Sequence, residues 1–151
     1  RQVRRQHEAV AALDLERAHR RQRAALEVGA RGEEPGELLG VAVAGDGDGL
    51  LSVFVPHATA GLVIVEIGAG SDHDLVAALD RLLPRDEALY RHRHGSPGHG
   101  ADHVLPLLVA PSLTVPVVAG ALALGTWQSI CLLDPNPDNS TRRVRLSFLG
   151  G

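Results

Sequence analysis

The stretch from Ser112 to Ile130, SLTVPVVAGALALGTWQSI, constrains the fold more than any other part of the chain. Leu113, Val115 and Val117 recur at every second position, which is the period of a strand with one face in a core. Leu122 and Leu124 resume that period after Gly120. Alternation, a glycine turn and renewed alternation predict a β-hairpin, continued by an apolar strand from Ser129 to Leu133.

Around this hairpin the chain of 151 residues is long enough for one domain with a core and too short for two ordinary ones. Its hydrophobic share of 44% is that of a globular chain. No apolar run is long enough to cross a bilayer, and the N-terminus carries no signal-like apolar segment, so a cytoplasmic protein is expected. The single Cys131 has no internal disulfide partner and sits in the apolar strand, which favours a buried structural thiol over a nucleophile. A net charge of -3 and an aromatic share of 3% give neither the field nor the stacking rings that nucleic acid requires. All fifteen basic residues are arginines, seven of them within Arg1 to Arg23.

From Arg1 to Leu26, Ala, Leu, Glu, Gln and Arg without Gly or Pro favour a charged helix with only a thin apolar stripe. The reading is a helical extension over residues 1–26, dispensable for folding, ahead of a domain over 27–151. The turn-rich run Arg31 to Gly40 leads to a short strand, Val41 to Ala44. Gly45-Asp46-Gly47-Asp48-Gly49 lacks the later acidic ligands of a calcium loop and is read as a hairpin connection. Leu50 to Val55 and Leu62 to Ile67 are continuous apolar runs, each expected as a buried strand. In the second, Glu66 shares a face with Leu62 and Ile64. It therefore has a partner, lies at a pocket mouth, or faces the other way. Ser71 to Leu83 is the best helix, with Leu75, Ala78, Leu79 and Leu82 as its apolar stripe. Ser71 is its expected cap, Asp74 the reciprocal acid, and Pro84 its stop. The last strand, Arg142 to Phe148, alternates Val144, Leu146 and Phe148 against Arg143, Arg145 and Ser147.

Chemistry collects in Tyr90 to His103, YRHRHGSPGHGADH, with histidines at 92, 94, 99 and 103. Neutral imidazole is a good donor to transition metals, and three such groups make an open site. The spacing permits a metal site and equally a solvated loop. His92 and His94 fall on one side of an extended segment, whereas His99 and His103 share a face only if a helix runs through Gly100.

Ser112, Val115, Val117, Gly120 and the block Gly125 to Ile130 resemble, spacing included, the signature of the YjbQ-like family, labelled secondary thiamine-phosphate synthase. The resemblance covers Leu50 to Gly151, more weakly from Glu27. It implies a trimer and three family-like histidines, His57, His92 and His103, as ligands of a divalent metal ion such as zinc or magnesium; His94 and His99 match less closely. It also places family acids on Glu66 and Asp74, although helix capping explains Asp74 as well. Arg142 and Arg143 match family basic residues that, with Arg91, would bind a phosphate; a solvated strand face explains them equally. Gln128 is a candidate for substrate contact beside Trp127, whose ring is expected in a core or a subunit interface. Two positions depart from the family pattern. Ala58 replaces the hydroxyl residue usual after the first histidine, and Asp102, in place of the more frequent alanine, serves as helix cap or as partner to a histidine.

The fold expected is a single α+β domain, a mostly antiparallel curved sheet or sandwich with packed helices. The function implied is metal-assisted chemistry on a small phosphorylated substrate. Its specific form is a transferase joining a pyrimidine pyrophosphate to a thiazole phosphate. In it His57, Glu66 and Asp74 are catalytic, and Arg91, Arg142, Arg143 and Gln128 bind substrate. The rival is a trimeric metal or small-ligand binding protein without turnover.

Overall fold

The computed structural model describes residues 9–13, 22–29, 36–43, 47–67, 69–138 and 141–151. Five strands open the chain: β1 (Ala9–Leu13), β2 (Gln22–Gly29), β3 (Gly36–Val43), β4 (Gly49–Phe54) and β5 (Gly61–Val65). Helix α1 (Ser71–Leu82), a 3-10 turn (Glu87–Leu89), helix α2 (His99–Val104) and a second 3-10 turn (Leu105–Leu107) follow. Strands β6 (Ser112–Val118), β7 (Ala121–Leu122), β8 (Ser129–Leu133) and β9 (Thr141–Gly150) close it.

The strands form two sheets, β2-β9-β4-β6-β7 and β1-β3-β8-β5, in which every pairing is antiparallel except β1 with β3. The sheets face each other across one core. Leu51, Val53, Val115, Val117, Val144, Leu146 and Phe148 come from the larger sheet, and Leu62, Ile130 and Leu132 from the smaller. Strand β8 is buried on both faces, because Leu133 turns outward into a second cluster with Leu105 and Val109, against which Leu75, Leu79 and Leu83 pack. The fold is therefore the α+β arrangement expected, a single domain with its helices on the small sheet.

The hairpin forms as its alternation predicts, with Val115 and Val117 buried and Thr114, Pro116 and Val118 exposed. Its turn places Ala119 at φ 48° and Gly120 at φ 74°, a left-handed pair that glycine relieves at one position. Asp48 Oδ1 accepts from the Ala119 N–H at 2.7 Å and holds the turn from outside. The glycine-aspartate run is thus no hairpin connection: β3 and β4 belong to different sheets, and Asp48 braces a distant turn.

The expected N-terminal helix is corrected where the chain is described, since 9–13 and 22–29 are the strands β1 and β2; residues 1–8 and 14–21 lie outside the described residues. Strand β2 pairs with β9 along its whole length, from Gln22 opposite Phe148 to Gly29 opposite Thr141. Helix propensity is a weak local preference, and a long backbone ladder overrides it. The strand after the turn-rich run is longer than Val41 to Ala44, spanning Gly36–Val43. Strand β4 is buried on one face only, with Leu51 and Val53 inside and Leu50 and Phe54 exposed.

Helix α1 ends one residue before the expected Leu83. Its N-cap is Gly70, with no side-chain cap; the Ser71 hydroxyl donates instead to Glu66 Oε2 at 3.4 Å. The Leu75, Ala78 and Leu79 stripe is half-buried, while Leu82 is exposed.

Candidate metal centre

Helix α2 begins at His99 and runs through Gly100, the condition under which His99 and His103 share a face. Gly100 lies against Tyr90, where a Cβ would come within 2.5 Å of the tyrosine Cβ. The helix packs that closely only with glycine there. One turn apart, the Nε2 atoms of His99 and His103 stand 2.9 Å from each other. The extended segment before the helix adds His92, whose ring centroid lies 4.3 Å from that of His103 and 5.2 Å from that of His99. His94 is next, 4.0 Å from His92 and 5.0 Å from His99.

Ligand atoms of His92, His99 and His103 all lie within 4.8 Å of one another. Among the described residues no other group of three His, Cys, Asp or Glu side chains is so placed. Tetrahedral zinc with nitrogen ligands near 2.0–2.1 Å sets those nitrogens about 3.3 Å apart. The His99–His103 pair would open by a fraction of an ångström and His92 would move inward. The donor set also fits chemically, since desolvation, followed by the neighbouring imidazoles, lowers the pKa of His92 and of His103. Lowered values favour the neutral, ligating form.

A polar cleft of about 220 Å³ adjoins the cluster, lined by Glu87, His92, Arg93, His94, Ser96 and His99 among others. Its far support is the turn Asp134 to Asp138. Asp134 Oδ1 accepts from the Asn136 N–H at 3.2 Å, and Asn136 Oδ1 from the Asp138 N–H at 2.6 Å. Asp138 Oδ2 accepts from the Ser96 N–H and lies beside His99 Nδ1, each at 3.1 Å. The Ser96 bond, ahead of the His99 charge, holds the Asp138 carboxyl below the usual range.

His57 is outside the group of three ligands. Its Nδ1 lies 2.9 Å from the Thr59 hydroxyl, which reaches Asp134 Oδ1 at 3.3 Å. Burial, then the charge of Arg142, lowers the His57 pKa, and His99 contributes in the same direction.

The other candidates are dispersed. Strand β5 ends at Val65, short of the expected Ile67, so Glu66 lies beyond it, exposed and tied to Ser71, which removes the puzzle of a buried acid; Asp74 is exposed in the first turn of α1. Arg142 is neither solvated nor open to a phosphate: it is 1% exposed and ion-paired through Nε to buried Asp134. It also donates to the Asp138 carbonyl at 3.0 Å. Arg91 and Arg143 are exposed. Gln128 closes its own turn, its Oε1 accepting from the Gly125 N–H at 2.8 Å. Trp127 is 74% exposed, so it is no part of this chain's core. Asp102 neither caps α2, whose N-cap is Gly98, nor bonds a histidine; it is buried and paired with Arg85. Cys131 is buried as expected, its thiol pushed up to about 11 by burial and then by Asp72.

No helix among the described residues is long and apolar enough to cross a membrane. A family model described as UPF0047 protein YjbQ-like matches residues 40–151. The chain is 68% identical over 104 residues to a UPF0047 protein of Mycobacterium tuberculosis, a span covering 69% of this chain and 77% of the relative. It is 39% identical over 103 residues to a UPF0047 protein of Archaeoglobus fulgidus, covering 68% and 79%. A conserved hypothetical protein of Thermus thermophilus superposes with a TM-score of 0.69 at 29% identity, covering 83% of this chain and 99% of the other. With a two-sheet fold, the hairpin signature and these relatives in agreement, the chain belongs to the YjbQ-like UPF0047 family.

Proposed function

We propose that the protein is a metal-dependent enzyme acting on a small phosphorylated substrate, with His92, His99 and His103 as ligands of a divalent ion. The observation that carries this reading is the convergence of three imidazoles from two separate segments beside a polar cleft. A bound ion would supply Lewis-acid stabilisation of charge on a phosphate oxygen. Arg93, on the cleft wall, and exposed Arg91 share the segment that carries His92 and would hold the remaining phosphate charge. His57, kept neutral and fixed by Thr59, would handle a proton. Within this reading the transfer of a pyrimidine pyrophosphate to a thiazole phosphate is the specific reaction, zinc the ion that three imidazoles favour over magnesium, the cytoplasm the compartment and a homotrimer the assembly. Exposed Trp127, Leu50 and Leu149 leave apolar surface for neighbouring copies.

The second reading, a metal or small-ligand binding protein without turnover, has its own support: Glu66 and Asp74 lie outside the histidine group, and Arg142 is committed to Asp134. Metal analysis of the purified protein, with turnover of phosphate compounds before and after chelation, separates the two. Stoichiometric metal with chelator-sensitive turnover supports the enzyme. Stoichiometric metal without turnover supports the binding protein, and a protein that neither holds metal nor needs it for turnover refutes the enzyme and the metal-binding form of the second reading.

A further inference from the structure

His99 is the one ligand of the three whose second ring nitrogen faces two opposed partners. Asp138 Oδ2 and Asn136 Nδ2 each lie 3.1 Å from Nδ1. The amide orientation is fixed, because Asn136 Oδ1 is already bonded to the Asp138 N–H. These neighbours require opposite tautomers. An amide N–H donates, so it asks for a bare Nδ1 and leaves the proton on Nε2. A carboxylate only accepts, so it asks for Nδ1–H and leaves the Nε2 lone pair free. The contest is unequal, since a hydrogen bond to an ionised group is roughly twice as strong as one between neutral groups.

We propose that Asp138 is the positioning residue of the metal centre, fixing His99 as an Nδ1–H imidazole whose Nε2 faces the ion. The inference rests on the metal reading above and adds the residue that makes His99 a competent ligand. Three features build the contact. The Ser96 N–H bond anchors the same Oδ2 that faces the ring. The Asp134 to Asp138 turn is braced by two bonds of its own. At Gly95, a Cβ would fall 2.6 Å from His99 Nδ1 and 2.7 Å from Asp138 Oδ2, so a glycine lets the loop close over the pair. Carboxylate-histidine contacts of this kind orient metal ligands and raise their basicity, and their loss typically weakens metal affinity about 10- to 100-fold.

The test is zinc affinity by competition with a chromogenic chelator for the wild type, His103→Ala, Asp138→Asn and Asp138→Leu. It is paired with ring-nitrogen NMR of His99 in the zinc-free proteins. The expected result is stoichiometric zinc in the wild type and none in His103→Ala. Asp138→Leu should bind about 10- to 100-fold more weakly, and Asp138→Asn, which keeps an acceptor oxygen but loses the charge, less weakened than Leu. The His99 tautomer should be Nδ1–H in the wild type and Nε2–H in Asp138→Leu, where Asn136 alone faces Nδ1. Failure of the wild type to bind zinc overturns the metal reading. Zinc binding that depends on His103 but not on Asp138 overturns this inference alone. So does a weakened Asp138→Leu whose His99 tautomer is unchanged, because Asp138 would then act only by bracing the loop.

Discussion

The Nε2 atoms of His99 and His103 lie 2.9 Å apart across one turn of α2, close enough for one ring to donate to the other and close enough for both to hold one ion. A ligand that binds only the folded form stabilises it by mass action, about 2.7 kcal/mol at one hundred times its dissociation constant. Excess zinc should therefore raise the thermal midpoint of the wild type and leave that of His99→Ala or His103→Ala unmoved. Parallel thermal scans with and without zinc check this, and an equal rise in all three would place the ion elsewhere.

Zinc should be retained below the pH at which an ordinary histidine lets go. His92 and His103 have lowered pKa values, from desolvation first and from their imidazole neighbours second. A lowered value means the folded protein binds fewer protons than the unfolded chain just below pH 6.5. Proton competition with the metal, and the loss of stability as the unfolded chain takes up protons, both grow as pH falls from there. A release midpoint below about pH 6.5, read from zinc occupancy across a pH series, is the expected outcome; a midpoint clearly above it would contradict the shifts.

Cys131 should be inert. With its thiol near 11, about one group in a thousand is thiolate at pH 8, and the side chain is buried. A thiol reagent should label it only after denaturation, and Cys131→Ala should keep full zinc binding. Rapid labelling of the native protein would show that β8 opens more readily than its burial on both faces implies.

Much of this fold was legible from local pattern. Helix α1 forms within a residue of its expected bounds and the β6–β7 hairpin forms where expected, although β7 stops at Leu122, short of Leu124; apolar periodicity, Pro84 and Gly120 mark them locally. Strand β4 was legible as a strand but not by face, since Leu50, Leu51, Val53 and Phe54 are apolar on both sides of the pleat. Strand β2 was hidden because its partner β9 lies more than a hundred residues away, and its own residues favour helix. His99 was within reach: its four-residue spacing to His103 is a helical spacing, obscured by glycines read as breakers although Gly100 is a packing contact. Asn136 and Asp138 gave no signal beyond a turn, because their role exists only once that turn meets the histidine loop.

Truncation through Gly29 should damage the fold, contrary to the dispensability that composition suggests. Removing β2 strips the ladder from one side of β9 and leaves its backbone as an open edge. A lower thermal midpoint with concentration-dependent aggregation is expected. Retained cooperativity at the wild-type midpoint would show that the β2 ladder adds nothing.

Arg142 offers the sharpest separation of structure from substrate binding. Position 142 is in phase with buried Val144 and Leu146, which neither the phosphate reading nor the solvated-face reading took into account; Arg142 is 1% exposed and paired with Asp134, whose side chain is 4% exposed. Removing one partner of a buried pair leaves the other charge without compensation, a loss of about 3–5 kcal/mol. Asp134 also accepts from Thr59 and from the Asn136 N–H, so the disturbance reaches both His57 and the turn beneath His99. Arg142→Leu should therefore lower the denaturation midpoint in urea and weaken zinc binding together, whereas Arg145→Leu, on the exposed face of the same strand, should do neither. A stable Arg142→Leu with normal zinc affinity but lost phosphate binding would restore the substrate role that burial argues against.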